Sequence, residues 1–565
     1  METGHSLMRA AVLAGVFAFG AAIGLHGGTR EIVPFRYLAA LSDLPTPEGE
    51  ARGQAGSPPE SIATNLLRLK KVTYNPTNEA GLGGFGGGMV MVRGSVVGVD
   101  RSGTFFAYES PGGIRTMSLR LDMNTPEFVR YLQAQVPDEL TRAQVLRNHR
   151  VLGIAARDTN NEVHLFVSHY FWHSGPSAKS FRISRLIVRD VATLLAGRLE
   201  AAPPAWETIY ESTPLIEFSL SEPSPFTTNH SGGRMVFDPE GRLFVGIGDH
   251  RFDGVAASHA ASQDDTSSYG KILMIDPNPR EVLVYARGIR NPQGLMIDRD
   301  GTLWETEHGP KGGDELNRIV EGENYGWPWV TYGTDDNVFE WPLSKRQGRH
   351  EGYAAPIYSW IPSIGISNLI QVNHAPAAWD GDFLVSSLNF ATLFRVRITE
   401  GRVVFAEPIR VGERVRDLVQ MVDGAFLLWL DSGHFIELHE VPAEESMLPV
   451  PLTADEQERG LGRILNQCAG CHEFGPAIPE TKAPRLWGVL GRKIGESGFR
   501  ATSDALKAKQ GAWNETSLKA FLSDPQAFAP GTNMPGVPMD AGSMDAVVAY
   551  LKRLRLNRSG PPERR

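Results

Sequence analysis

Residues 238–249 read DPEGRLFVGIGD: a turn of Asp, Pro, Glu and Gly, then a short apolar strand, then a second aspartate. Asp and Gly supply the local hydrogen bonds and the positive φ that a tight turn demands. The alternation that follows has the two-residue period of a β-strand. The same unit recurs on both sides, as DRSGTFFAY from Asp100, DTNNEVHLFVS from Asp158, DRDGTLWETEHG from Asp298, DGDFLVSSL from Asp380 and VDGAFLLWL from Val422. Six copies of one supersecondary unit predict a six-bladed β-propeller. The uneven spacing places long loops between strands, where function resides. A two-sheet sandwich is the main rival. Helix signals are weak in this region, and the clearest covers Thr125 to Gln135.

Working outward, 565 residues are too many for one core. At 41% apolar and 21% charged the composition is that of an ordinary globular protein, and 60 Gly with 38 Pro favour turns and short strands. A net charge of −9 offers no footprint for a polyanion and argues against nucleic acid as a partner. Near the N-terminus an uncharged run, Ala10 to Leu25, predicts export to the periplasm, either on a cleaved signal or on an uncleaved membrane anchor. The expected division is an export segment and linker over 1–60, the propeller over 61–441, a Pro-rich connector over 442–453 and a last domain over 454–565. That domain is expected to be small and all-α. It opens with ADEQERGLGRILNQ and closes with SMDAVVAYLKRL, where Ser543 is a candidate N-cap.

Both cysteines of the chain lie in CAGCH, Cys468 to His472. Two thiols three residues apart reach the two vinyl groups of a porphyrin, and the adjacent His472 brings an imidazole under the iron. One covalent haem c is therefore expected. A Met thioether suits the opposite axial position. The candidates are Met534, Met539 and Met544, with Met534 preferred because PGTNMPG is an irregular loop able to aim a thioether at iron. Residues 446–565 hold 16 Lys/Arg against 12 Asp/Glu, or +4, which leaves −13 on the rest of a chain of net −9. Opposite signs favour docking of the two parts.

Residues 455–555 resemble a class I c-type cytochrome, with CAGCH, APRLWGVLGRKIG, Trp513, FLSDPQAFAPGTNMPG and the closing helix in that family's order. The resemblance implies His472 and Met534 as axial ligands, a Pro484 carbonyl on the His ring, and Arg492 and Trp513 near the propionates. Ala501 and Phe521 stand where tyrosines are common.

The propeller resembles the soluble PQQ-dependent glucose and aldose sugar dehydrogenases, the glucose/sorbosone dehydrogenase family. The matching stretches are NHSGGRMVFDPEGRLFVGIGD, YGKILMID, YARGIRNPQGLMID, ETEHGPKGGDELNRIVEGENYGWP and RVRD. PQQ is a tricarboxylate quinone, so its pocket needs cations and a hard divalent metal with oxygen ligands. The resemblance assigns Arg290, Asn291, Arg414 and Arg416 to the quinone, the carbonyls of Gly309 and Pro310 to calcium, His230 to the general base and Asp249 to its orientation. Asp314 and Glu315 are weaker metal candidates, and DELN and NYGWP suit turn architecture. Asn389 stands where the family has a lysine against the quinone. The first blade, GLGGFGGGMVMV, has no counterpart to the family's sugar-contacting segment, which argues against glucose itself. The expected function is oxidation of an aldose sugar or related alcohol or aldehyde, with electrons passing to the chain's own haem and on to a downstream cytochrome or terminal oxidase. The alternatives are a propeller without PQQ that serves as a docking module, and a membrane-held cytochrome sensor without turnover.

Overall fold

The computed structural model describes residues 50–75 and 82–556, apart from 53, 56–58, 83–85, 160, 200–205, 222–223, 228, 336, 338, 346–347, 442–451, 454, 457–459, 475–482, 497–498, 500–501 and 538. The expected export segment, most of the connector and Ala501 lie outside the described residues. Among those described, no helix is long and apolar enough to cross a membrane.

Six antiparallel sheets form the propeller. Their innermost strands are Gly87–Val92, Val151–Asp158, Gly232–Phe237, Pro292–Ile297, Ile366–Gln371 and Val415–Gln420, in blades 1 to 6. Each meets the next around the ring, and the last meets the first. Strand Arg68–Asn75, from the N-terminal side, pairs with the C-terminal strand Phe435–Val441, running from Tyr74 opposite Phe435 to Arg68 opposite Val441. Blade 6 thus contains both ends of the propeller, and the ring closes on main-chain hydrogen bonds. The expected linker contributes too. Glu50–Arg52 pairs with Gly113–Arg120, and Gln54–Ala55 with Arg68–Asn75. Main-chain pairing at a sheet edge needs no apolar alternation, so Glu-Ala-Arg carried no strand signal.

Five of the six turn repeats sit between the first and second strands of blades 2 to 6. The copy at Asp100 does not, because it joins the second and third strands of blade 1, Ser95–Asp100 and Thr104–Glu109. Its turn chemistry is the same. Asp100 Oδ1 accepts from the Ser102 and Thr104 amides at 2.9 Å, as Asp298 Oδ1 accepts from Asp300 and Thr302. The expected helix is Thr125–Gln135, which buries Phe128 and Leu132, with Phe128 against Trp172. A second helix, Glu139–Arg147, was not expected, since it buries Val145 alone.

A polar knot ties the ring at its axis. Asp417 of blade 6, fully buried, accepts from Met89 N of blade 1 at 2.8 Å, Arg234 of blade 3 at 3.0 Å and Asn368 of blade 5 at 2.6 Å. A buried carboxylate is tolerated only with such partners.

The last domain consists of helices Leu461–Ala469, Asp504–Ala508, Glu515–Ser523, Pro525–Phe528 and Ala541–Leu556 around one apolar core. Asp540, not Ser543, caps the closing helix. Its Oδ1 accepts from the Ser543 amide at 2.7 Å, and Ser543 lies inside the helix.

Candidate functional site

In an antiparallel hairpin the start of the first strand and the end of the second lie at the same end. His230, Arg290 and Arg414 come just before innermost strands. Asp249, Gly309, Asn389 and Asp431 come just after second strands. The topology therefore gathers segments far apart in sequence at one end of the ring. Gly248 lets two of them touch, since a Cβ there would overlap the His230 carbonyl oxygen.

His230 Nδ1 donates to Asp249 Oδ1 at 2.8 Å, and Trp327 Nε1 donates to Asp249 Oδ2 at 2.7 Å. With its proton on Nδ1, the imidazole presents Nε2 as an acceptor, and Arg290 Nη2 stands 3.2 Å from it. Burial lowers the His230 pKa, as does Arg290, and both outweigh the opposite pull of Asp249. The ring is therefore neutral at physiological pH, as a base must be. Burial alone would raise the Asp249 pKa, but His230 and Arg290 leave it below the ordinary value.

Arg290 Nη1 donates to the carbonyls of His308 at 3.0 Å and Gly309 at 2.9 Å, and its guanidinium lies 5.1 Å from the Trp327 ring centroid. Its Nε meets no acceptor among the described residues. The amide of Asn291 donates to Glu307, whose carboxyl is pushed up to about 7 by burial. Pro310 lies against Gly333. Asp314 accepts from the Gly309 amide at 3.2 Å and from the amides of Ile364, Gly365 and Ile366, which makes it a brace for the turn. Glu315 is buried beside Asn317. Among the described residues no group of three or more His, Cys, Asp and Glu is gathered as a metal site. A cation at Gly309 would share a carbonyl that Arg290 already uses.

Arg414 and Arg416 both pair with Asp431, at 2.8 and 2.7 Å. Arg414 Nη1 also donates to Asn389 Oδ1 at 3.2 Å. The residue that replaces an expected cation thus orients another one. Half-buried guanidiniums and a part-buried imidazole at one end of the ring suit a planar polycarboxylate, and the Arg290 Nε is a donor suited to a quinone oxygen. The donor set fits PQQ. Sequence reasoning missed Trp327 and Glu307 here, because nothing local separates them from turn and strand residues.

The second site lies in the helical domain. A cavity of about 200 Å³ is lined by Cys468, Cys471, His472, Pro484, Arg492, Trp513 and Met534 among others. His472 Nδ1 donates to the Pro484 carbonyl at 2.6 Å, which leaves Nε2 for a metal. Burial lowers the His472 pKa and keeps the ring neutral. Arg492 is held by the carbonyls of Arg485 and Trp487. Trp513 stacks on Phe528 at 5.7 Å and meets Phe521 at 5.2 Å. Met534 faces the cavity, whereas Met539 and Met544 pack on the domain's core without lining it. The thiols, imidazole, thioether and apolar walls fit a covalently bound haem.

Residues 207–437 match the family model described as Glucose / Sorbosone dehydrogenase. The aldose sugar dehydrogenase YliI of Escherichia coli (strain K12) is 31% identical over 244 residues, 38% of this chain and 62% of that protein. The chain thus spans less than two thirds of that relative. Cytochrome c2 of Rhodoblastus acidophilus is 36% identical over 99 residues, 17% of this chain and 92% of that protein. A crystal structure of a glucose dehydrogenase shares the fold, with a TM-score of 0.50 at 22% identity, over 64% of this chain and 97% of that one.

Proposed function

The chain belongs, through its C-terminal domain, to the cytochrome c family, and we propose that the glucose/sorbosone dehydrogenase-like propeller ahead of it oxidises an aldose sugar or related alcohol or aldehyde in the periplasm and supplies that domain with electrons. The observation that carries this is the buried dyad of His230 and Asp249 with Arg290 beside it. When bound, PQQ with its calcium would take two electrons as hydride from the substrate carbon, and the haem would carry them onward singly.

The residues divide the remaining work. His230 Nε2 accepts the proton of the substrate hydroxyl, and Asp249, already bonded to Nδ1, stabilises the imidazolium that results. For Nε2 to take that proton, Arg290 Nη2 would give up its contact with Nε2 and turn to the reacting oxygen, while Arg290 Nη1 stays on the carbonyls of His308 and Gly309. Arg414, Arg416 and Asn291 would hold the quinone, and the carbonyls of Gly309 and Pro310 a hard cation. In the last domain Cys468 and Cys471 would carry the haem, with His472 and Met534 on its two faces.

The test is His230→Gln in the full chain supplied with PQQ and calcium. Substrate-driven haem reduction is expected to slow by about 10²-fold or more, the usual worth of a positioned base, with dithionite reduction unchanged. A variant that reduces haem as fast as the wild type would leave the propeller as a docking module.

A further inference from the structure

Directly after Asp249 the chain makes a turn that most side chains avoid. His250 and Arg251, at φ 50° and 60°, are two successive residues in the left-handed region with no glycine between them. Such backbone persists where its surroundings hold it. Here the His250 side chain is fully buried and held at both ring nitrogens. Nδ1 donates to the Gly248 carbonyl at 2.9 Å, which makes Nε2 an acceptor in the neutral ring, and the Tyr170 hydroxyl stands 2.8 Å from it. The same hydroxyl lies 2.6 Å from Ser231 Oγ. Ser231 follows His230, and Gly248 precedes Asp249. One phenol of blade 2 thus joins the two segments of blade 3 that carry the imidazole and its carboxylate. The His250 amide joins them again by donating to the His230 carbonyl at 3.2 Å.

Burial takes the His250 pKa down to about 3, with Lys179 acting in the same direction, and burial raises that of Tyr170 to about 12. Both groups are neutral across the working pH range, so the pair holds by hydrogen bonds and not by charge. Lys179 faces Tyr170 from the paired strand, with Nζ 4.0 Å from the ring centroid and donating to the Phe226 carbonyl at 2.6 Å. Tyr269 covers His250, its ring centroid 4.7 Å from that of the imidazole. The groups that set the His230 pKa are others. Burial, Arg290 and Arg251 lower it, and Asp249 raises it. The pull of Asp249 acts through the 2.8 Å contact with Nδ1, so it weakens when the two segments part.

We propose that Tyr170 and His250 are positioning residues for the base: together they anchor the left-handed turn after Asp249 and so keep its carboxylate on His230 Nδ1. The inference rests on the reading of His230 as the base of a dehydrogenase. Both side chains are sealed from solvent, so they act through His230 and Asp249. Glycine at position 250 would accept the turn but would leave the phenol without its imidazole partner.

The experiment uses the full haem-bearing chain as wild type, Tyr170→Phe, His250→Asn and His250→Gly. The first measurement needs neither quinone nor substrate. The His230 ring is titrated by NMR of histidine-labelled protein with the haem kept reduced, and its signal is assigned by its loss in His230→Gln. Tyr170→Phe removes only the hydroxyl and is expected to lower the proton affinity of His230 about threefold or more, because Asp249 then pulls on it less. His250→Asn, whose side chain tolerates the left-handed backbone, is expected to do the same. The second measurement is substrate-driven haem reduction with PQQ and calcium. In each variant kcat is expected to fall roughly tenfold or more with KM within about twofold, and the acid limb of the pH–rate profile to move to lower pH. A His230 titration unmoved in both Tyr170→Phe and His250→Asn overturns the proposal, even where kcat falls. A His250→Gly variant that titrates and turns over like the wild type also overturns it, since the turn then needs no anchor. A shifted titration in a protein whose wild type turns over no substrate keeps the positioning role and sinks the dehydrogenase reading. Should Tyr170→Phe fail to fold, Ser231→Ala removes the phenol's other contact and carries the same expectations.

Discussion

Asp249, which has no solvent contact, holds three donors at once, His230 Nδ1 and the Arg251 amide on Oδ1 and Trp327 Nε1 on Oδ2. Each hydrogen bond to a buried carboxylate is worth about 1.5–3 kcal/mol, so the indole helps to fix both the charge and the orientation of the carboxylate. Trp327→Phe keeps an aromatic face under Arg290 and removes the N–H together with the five-membered ring that carries it. Its expected effect is a fall in kcat of roughly tenfold or more with KM little changed. The sign of the accompanying pH effect follows from charge. A carboxylate with one donor fewer stabilises imidazolium better, so the His230 pKa rises and the acid limb of the pH–rate profile moves to higher pH. A kcat loss with that limb unmoved would make Trp327 a packing residue only. His230, Asp249 and Arg290 could be named from the sequence only through the resemblance of the segments that carry them to a known family. Trp327 was read as turn architecture, and its importance comes from Asp249 on another blade, which no local pattern reports.

Strands Leu303–Glu307 and Asp314–Ile319 pair so that Glu305 faces Asn317 and Glu307 faces Glu315. Four acids, Glu305, Glu307, Asp314 and Glu315, are thereby buried in one hairpin. Burial first, then Glu307 and Glu315, hold the Glu305 carboxyl well above its ordinary 4.5. The folded state then keeps a proton that the unfolded chain releases. Stability is accordingly highest below pH 4.5 and falls as pH rises toward the folded value. Glu305→Gln removes the ionisation and keeps the shape. It is expected to raise the melting temperature at pH 8 by at least about 2 °C and to change it little at pH 4, as differential scanning calorimetry would show. An equal shift at both pH values would mean that ionisation is not the cause. The alternation in LWETE was readable as a strand, but a propeller strand is covered on both faces, so its polar residues are buried as deeply as its apolar ones. The displaced turn at Asp100 has a related origin. One Asx-turn chemistry serves any hairpin, so the repeats revealed the number of blades without revealing which hairpin each copy closes.

At the scale of the whole molecule, two sites of opposite preference share one chain. One is a basic pocket with a neutral imidazole, and the other is an apolar cavity lined by thiols and a thioether. A tether converts electron transfer between them from a second-order encounter into a unimolecular step, because each domain sees the other at an effective concentration set by the connector. The charge division, −13 against +4, adds an attraction that salt screens over about 8 Å at physiological ionic strength. Substrate-driven haem reduction should therefore be first order, with a rate constant independent of protein concentration over a hundredfold dilution. It should slow as salt is raised. Met534→Ala should leave dye-linked substrate oxidation at the propeller intact while impairing delivery of electrons from haem to an external cytochrome, since removing the thioether changes the iron's ligation and not the sugar chemistry. Mixing a propeller variant, His230→Gln, with Met534→Ala separates the cases. If haem reduction in the mixture matches the wild type at low concentration, electrons pass between molecules and the fusion contributes nothing kinetically. If it stays slow until the concentration is raised, transfer within one chain is the working route.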